Sequence, residues 1–237
     1  MDVKNPLFLS TIVILGAVFT IGKVEAGEVH TSGGNFSGNA TPTEYIITVN
    51  AIEFHRVGDN DNTYQSFVNK STNWDIASAN PGAALGSVNA TNPLPVGTYD
   101  KIRFTVSKTM TIKGAISSLS DSSPCRTDAA GTTVSNPFGE GVLDTAYLGS
   151  RDGGTATAET VTVPSGSDVD PPSGMTDLGS SFRGTLTLAS PFAVSTIVPA
   201  ITIKFDVSNA MQFVLLPDRS GRCVVFPGPP SIAVQVS

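Results

Sequence analysis

Only two cysteines and two histidines occur in the 237 residues, and tryptophan occurs once. A zinc site needs three or four clustered Cys, His or carboxylate ligands, and the spacing here offers none. His30 falls in a polar, Gly-rich stretch, which leaves His55 alone to serve any Ser-His-Asp or Cys-His centre. No Gly-x-Ser-x-Gly elbow accompanies it. Charge is sparse as well: 14 Lys and Arg stand against 20 Asp and Glu, a net charge of -6, so nothing electrostatic draws this chain to nucleic acid. A sustained amphipathic helical period is also missing, which disfavours helical architectures. These absences point away from an enzyme and away from a nucleic-acid partner.

What is present begins with Lys4, an apolar run from Leu7 to Ile21, and the small-residue cleavage sequence Val24-Glu25-Ala26. The run is short for a bilayer-spanning helix and is closed by Lys23 and Glu25. Residues 1–26 are therefore expected to be a cleavable signal peptide. The chain that remains is expected to be secreted, periplasmic or extracellular, with no membrane span. In an oxidising compartment of that kind, Cys125 and Cys223 are expected to form a disulfide. A catalytic thiol or metal ligand would need partners that the sequence does not supply.

Gly27 to Thr43 is polar and without periodicity, so residues 27–43 are expected to be a flexible leader. Residues 44–237 are expected to form a single domain. In EYIITVNAIEFHRV, from Glu44, period two puts Tyr45, Ile47, Val49 and Ala51 on one face and Ile46, Ile52 and Phe54 on the other. That predicts a strand covered on both sides over part of its length. Asp75 to Asn92 is too poor in large apolar residues for a core strand and is expected to be a connection. Pro95 and Gly97 punctuate the entry to TYDKIRFTVS, where Ile102, Phe104 and Val106 alternate with polar neighbours. Gly114 marks a bulge or a close backbone approach. Residues 117–181 are mostly Gly, Ser, Asp, Pro and Thr and are expected to be a loop-rich insertion with two short strands. Alternation returns in FRGTLTLA, ITIKFDVS, MQFVLL and SIAVQVS. Short strands separated by turns predict an all-β protein, an antiparallel Greek-key β-sandwich.

The piece Leu94-Pro95-Val96-Gly97-Thr98-Tyr99-Asp100-Lys101-Ile102-Arg103-Phe104 resembles the "LPAGTYTQIRL" signature of a bacterial exported domain-of-unknown-function family. TVNAIEFH and ITIKFDV resemble that family's opening strand and its late Asp-containing strand. The resemblance implies a transthyretin-like or carboxypeptidase-regulatory-like β-sandwich in an envelope or secreted protein. Independently of it, Pro95 and Gly97 suit a tight turn into the strand, and Tyr99 suits a tyrosine corner, its ring packed and its hydroxyl bonded to backbone.

The densest oxygen-ligand cluster is Asp59-Asn60-Asp61-Asn62. Asp59 and Asp61 are candidate calcium ligands, and calcium is the one cofactor considered. The helix-loop-helix pattern fails, because the twelfth position from Asp59 is Lys70 where a bidentate Glu is needed; Asx side chains in a turn also bond their own backbone. Asp168 and Asp170 are possible further ligands. Trp74 is a candidate sugar-stacking platform, with burial in the core as the alternative. Asn35, Asn39, Asn69 and Asn89 begin Asn-x-Ser/Thr sequons. The expected function is an exported, non-enzymatic structural or binding role in the cell envelope or extracellular space, with other envelope proteins or a second copy as partners. Alternatives are a calcium- or carbohydrate-binding module and a filament subunit that assembles by strand addition.

Overall fold

A computed structural model describes residues 36–78, 84–87, 92–129, 133–135, 145–163, 175–195, 201–216, 221–228 and 230–236. The expected signal peptide, His30, Asn35, Asn89, Asp168 and Asp170 lie outside the described residues. Among those described there is no helix, and every strand pairing is antiparallel. None of the described residues forms a helix long and apolar enough to cross a membrane. The fold is the all-β sandwich expected.

The first sheet is built on two long strands, β2 (Glu44–Arg56) and β6 (Gly97–Lys113). It runs in the order β12 (Met175–Asp177), β13 (Ser181–Val194), β6, β2, β3 (Gln65–Val68), and β4 (Thr72–Asp75) and β11 (Glu159–Thr162) pair with β2 and β6. The second sheet runs β1 (Phe36–Ala40), β15 (Met211–Leu215), β16 (Arg222–Pro227), β10 (Thr145–Ser150), β8 (Cys125–Arg126), β7 (Ala115–Ile116), with β9 (Thr133–Ser135) on β10. The third is β17 (Ser231–Val236), β14 (Ile201–Asp206) and β5 (Ala84–Ser87). Sequence neighbours are often not sheet neighbours, so the chain repeatedly crosses between layers.

One buried cluster joins the three sheets. Its centre is aromatic: Phe54 meets Phe67 at 5.4 Å and Phe192 at 5.5 Å edge-on, and Tyr99 stacks on Phe192 at 5.5 Å. Tyr99 forms the expected corner, its hydroxyl donating to the Pro95 carbonyl at 2.7 Å. Tyr45, fully enclosed, donates to the Gly228 carbonyl at 2.7 Å and so ties the first sheet to the connection after β16. Burial pushes its phenol well above the ordinary tyrosine range.

One expectation is met only at the end of its strand, and two need correction. In β2 the buried positions are Tyr45, Ile47 and Val49, then Ile52, Phe54 and His55. Cover on both sides is confined to the end of the strand, at Phe54 and His55; earlier, register shifts on either side of Val49 act as bulges that exchange the inward parity. The leader is ordered at its end: Phe36–Ala40 pairs with Met211–Val214, because β15 presents an edge that backbone groups can satisfy whatever the side chains. The stretches expected as connection and insertion hold six strands, β5 and β8 to β12, each short and held by pairing rather than by its own apolar pattern.

Gly114, where β6 passes into β7, is a close approach as expected: a Cβ there would lie 2.5 Å from the Met211 sulfur. The Cys125–Cys223 disulfide forms, between β8 and β16, with both residues fully buried. A link across 98 residues removes about 4 to 5 kcal/mol of chain entropy from the unfolded state.

Denaturant titration of two variants separates packing from polarity here. Phe54→Ala opens a cavity among three rings and is expected to lose about 3 to 5 kcal/mol, whereas Tyr99→Phe removes one hydrogen bond and is expected to lose about 1 kcal/mol. Equal losses would contradict the packing described.

Candidate functional site

Two polar clusters interrupt the apolar packing. The first lies where β2 pairs with β6. Antiparallel register sets Glu53 opposite Arg103 and His55 opposite Lys101, so period two brings four ionisable side chains to one face. Arg103 binds both oxygens of Glu53, each at 2.9 Å, a bidentate fork. The turn after β2 folds back over this face and sets the Tyr64 ring 3.8 Å from the Arg103 guanidinium carbon. His55 is buried, its Nδ1 2.7 Å from Asp100 Oδ1 and its ring 5.6 Å from Tyr64. The register shift between His55 and Arg56 is the bulge that accompanies this reach.

The same turn contains the two expected calcium ligands. Asp59 accepts hydrogen bonds from Arg56 Nη2 at 2.9 Å and Nε at 3.3 Å, and from Gln65 Nε2 at 3.4 Å. Asp61 accepts from Lys101 Nζ at 2.9 Å. Arg56 and Lys101 respectively hold the two carboxyls below the ordinary carboxylate range. The structure thus pairs Asp59 and Asp61 with separate cations, and among the described residues no three His, Cys, Asp or Glu side chains converge as a metal cage. Trp74 stands opposite Ile47 and is half-buried, meeting Phe205 edge-on at 5.9 Å across the seam between the first and third sheets. Its ring is committed in part to that seam.

A histidine held by an aspartate is two members of a proton relay. Among the described residues no third member, a hydroxyl or thiol, stands at the free ring nitrogen: His55 Nε2 is buried with no hydrogen-bond partner there. The arrangement orients His55 and satisfies Asp100.

The second cluster surrounds the disulfide. Gly149 of β10 sits against the bridge, and a Cβ there would collide with the Arg126 carbonyl and lie 3.1 Å from Cys223 Sγ. Arg126 holds Asp152 through two bonds of 2.7 and 2.8 Å. Asp128 accepts from Ser150 Oγ at 2.5 Å and lies 3.6 Å from Arg222. Arg151 binds both Asp121 and Ser123. Sequence reasoning placed these groups, Arg222 of β16 and Cys223 apart, in a loop-rich insertion, since nothing in their spacing shows that β8, β10 and β16 assemble them.

Two buried charged groups had no signal at all. Lys108 is 2% exposed within β6, with Asp177 Oδ2 at 2.5 Å and the Phe182 ring at 4.9 Å. Glu159 is 5% exposed on β11, and among the described residues neither carboxyl oxygen has a hydrogen-bond partner of good geometry. Burial raises its pKa from 4.5 to about 7, opposed by the Asp128 backbone amide and reinforced by the Asp128 charge.

The sign of the linkage follows. Between pH 4.5 and about 7 the folded chain keeps a proton on Glu159 that the unfolded chain has released, so the stability this group contributes is full below 4.5 and is lost as pH rises through about 7. The aspartates with lowered pKa act only in more acidic solution. Unfolding free energy measured at pH 5 and pH 8 is therefore expected to fall with pH, and Glu159→Gln is expected to remove on the order of 1 to 3 kcal/mol of that difference after allowance for solvent screening. An unchanged difference would mean that Glu159 is solvated.

Calcium is checked by thermal unfolding with calcium and with chelator. Ion pairing of Asp59 and Asp61 predicts the same midpoint in both, in the parent and in Asp59→Asn/Asp61→Asn alike. A calcium-dependent rise that the double variant abolishes would assign the metal to this turn. Compared with family models, with curated proteins and with solved structures, the chain matches none of them.

Proposed function

We propose that this chain is an exported, non-enzymatic β-sandwich protein with a structural or binding role in the cell envelope or the extracellular space. The observation that carries the proposal is the buried disulfide. Cys125 and Cys223 are both enclosed, Gly149 leaves the space the bridge occupies, and the bridge joins β8 of the 117–181 segment to β16. Bridges of this kind persist in oxidising compartments and are rare where glutathione keeps thiols reduced. The apolar run from Leu7 to Ile21 and the resemblance of residues 94–104 to an exported family support the same compartment.

A non-catalytic role is supported by how the candidate polar groups are used. Glu53, Asp59, Asp61, Asp100, Asp121 and Asp152 each accept from a neighbouring side chain. Groups so paired lock a sheet face and a loop in place, which suits a rigid module. The work of such a module is done by its surface, and its partners are other envelope or extracellular proteins or a second copy.

Expression of the whole chain with a C-terminal tag in a bacterial host, followed by fractionation and intact mass, tests this. Export predicts a product starting at Gly27, recovered outside the cytoplasm, lighter than the reduced chain by the two hydrogens lost in forming the bridge. An uncleaved chain in the cytoplasm with both thiols open to alkylation would contradict it.

A further inference from the structure

A strand at the edge of a sheet leaves about half of its N–H and C=O groups pointing outward, and folded proteins usually guard such edges with charge, proline, bulges or a covering segment. Most edges here are guarded. On β3, the Phe67 carbonyl and the Ser66 hydroxyl both receive hydrogen bonds from Asn92. Asp177 ends β12, Asp75 ends β4, and β13 carries Pro191 and a register break between Thr187 and Phe192. The outer side of β1 comes against β7, where a Cβ on Gly38 would lie 2.5 Å from Ile116 Cδ1.

β17 differs. Its six residues, Ser-Ile-Ala-Val-Gln-Val, pair with β14 in unbroken register from Asp206–Ser231 to Ile201–Val236. On its other side it meets no described strand. It contains no charge, proline or glycine and no bulge. Its inward positions are Ile232 and Val234, which join the core, and Ser231, Ala233 and Gln235 alternate with them. Among the described residues the sheet it bounds has three strands.

We propose that this edge pairs with itself: β17 of a second copy lies antiparallel beside it, with Ala233 on the two-fold axis. The proposal rests on the exported, structural reading above and names its partner. Three features select a second copy as the occupant. An isologous contact requires a self-complementary surface, and an uncharged strand sets no like charges against each other under a two-fold. With Ala233 opposite its own copy, Ile232 falls opposite Val234 and Ser231 opposite Gln235, so inward residues meet inward residues and polar meets polar. A slip of one residue would set core positions against outward ones. The smallest side chain then stands where the two strands face each other directly. The joined sheet runs β5, β14, β17, β17, β14, β5, and it closes the two β17 edges at once, with β5 at each end.

The test is sedimentation of the exported, disulfide-bonded chain over a range of concentrations. The parent is expected to be a dimer. Ala233→Lys sets two like charges directly opposite, beside Lys204 of β14 on the same face, and is expected to be a folded monomer. Mixing it with Ala233→Glu is expected to restore a dimer that contains one of each. Ala233→Cys gives a second readout that does not depend on the lysine variant folding: mild oxidation is expected to give a covalent dimer, and Thr98→Cys, an exposed control elsewhere, is not. A monomeric parent, an Ala233→Lys variant that dimerises like the parent, or crosslinking no faster at 233 than at 98 would each overturn the dimer. A chain that is exported and oxidised yet monomeric sinks this inference alone. A chain retained in the cytoplasm and reduced sinks the proposed function, whatever its mass.

Discussion

The antiparallel ladder between β2 and β6 is the constraint on which the other parts of this molecule depend. Both strands are long and flanked on each side by further strands, so their backbone groups are satisfied away from water. The register decides two outcomes together. On the inner side it sets Ile52 against Phe104 and Phe54 against Ile102, which seats the aromatic cluster; on the outer side it sets Glu53 against Arg103 and His55 against Lys101. A slip of one residue would put charged groups into the core and rings into water, a penalty of many kcal/mol if each buried apolar side chain is worth about 2. The bulges near Val49 and His55 let one ladder serve two layers, because the inward parity can change while the pairing continues.

The polar groups read differently once that ladder is in place. Asp59 and Asp61 sit close in sequence, yet their carboxylates turn to different cations, Arg56 and Lys101, that the ladder has fixed on either side of the turn. The turn is thereby pinned over the sheet, with Tyr64 resting on Arg103 as a further contact. Around the disulfide the same pattern recurs, with Arg126, Arg151 and Arg222 each near an aspartate. Paired charges at half-buried positions hold segments that have little apolar surface of their own. That is how the short strands between Cys125 and Thr162 stay on the fold.

Legibility in the sequence followed apolar density. Ile201, Ile203 and Phe205 alternate cleanly and form β14 as expected, and Pro95 with Tyr99 announced the corner that forms. Two cysteines, an even pair, announced their bridge. Two short strands were expected in the insertion, but β1, β8, β9 and β12 were not legible, because FSGNA and the Ser, Thr and Asp-rich pieces are strands only by virtue of the partners they meet. In β2 burial on both sides is limited to Phe54 and His55, and the face exchange near Val49 was not legible, since a period-two rule has no means of detecting a bulge. At the candidate site, the oxygen-rich Asp59 turn was visible and the cations that hold it were not. Glu159 and Lys108 look like ordinary polar strand positions, and only tertiary packing makes them buried.

Native-state amide exchange tests the central place of the β2–β6 ladder most directly. If the molecule depends on it, the amides of Ile52, Phe54, Ile102 and Phe104 exchange only through global unfolding and are among the last to do so. Amides of β15 and β16 that outlast them would show that the second sheet can persist without the ladder, and would contradict the account.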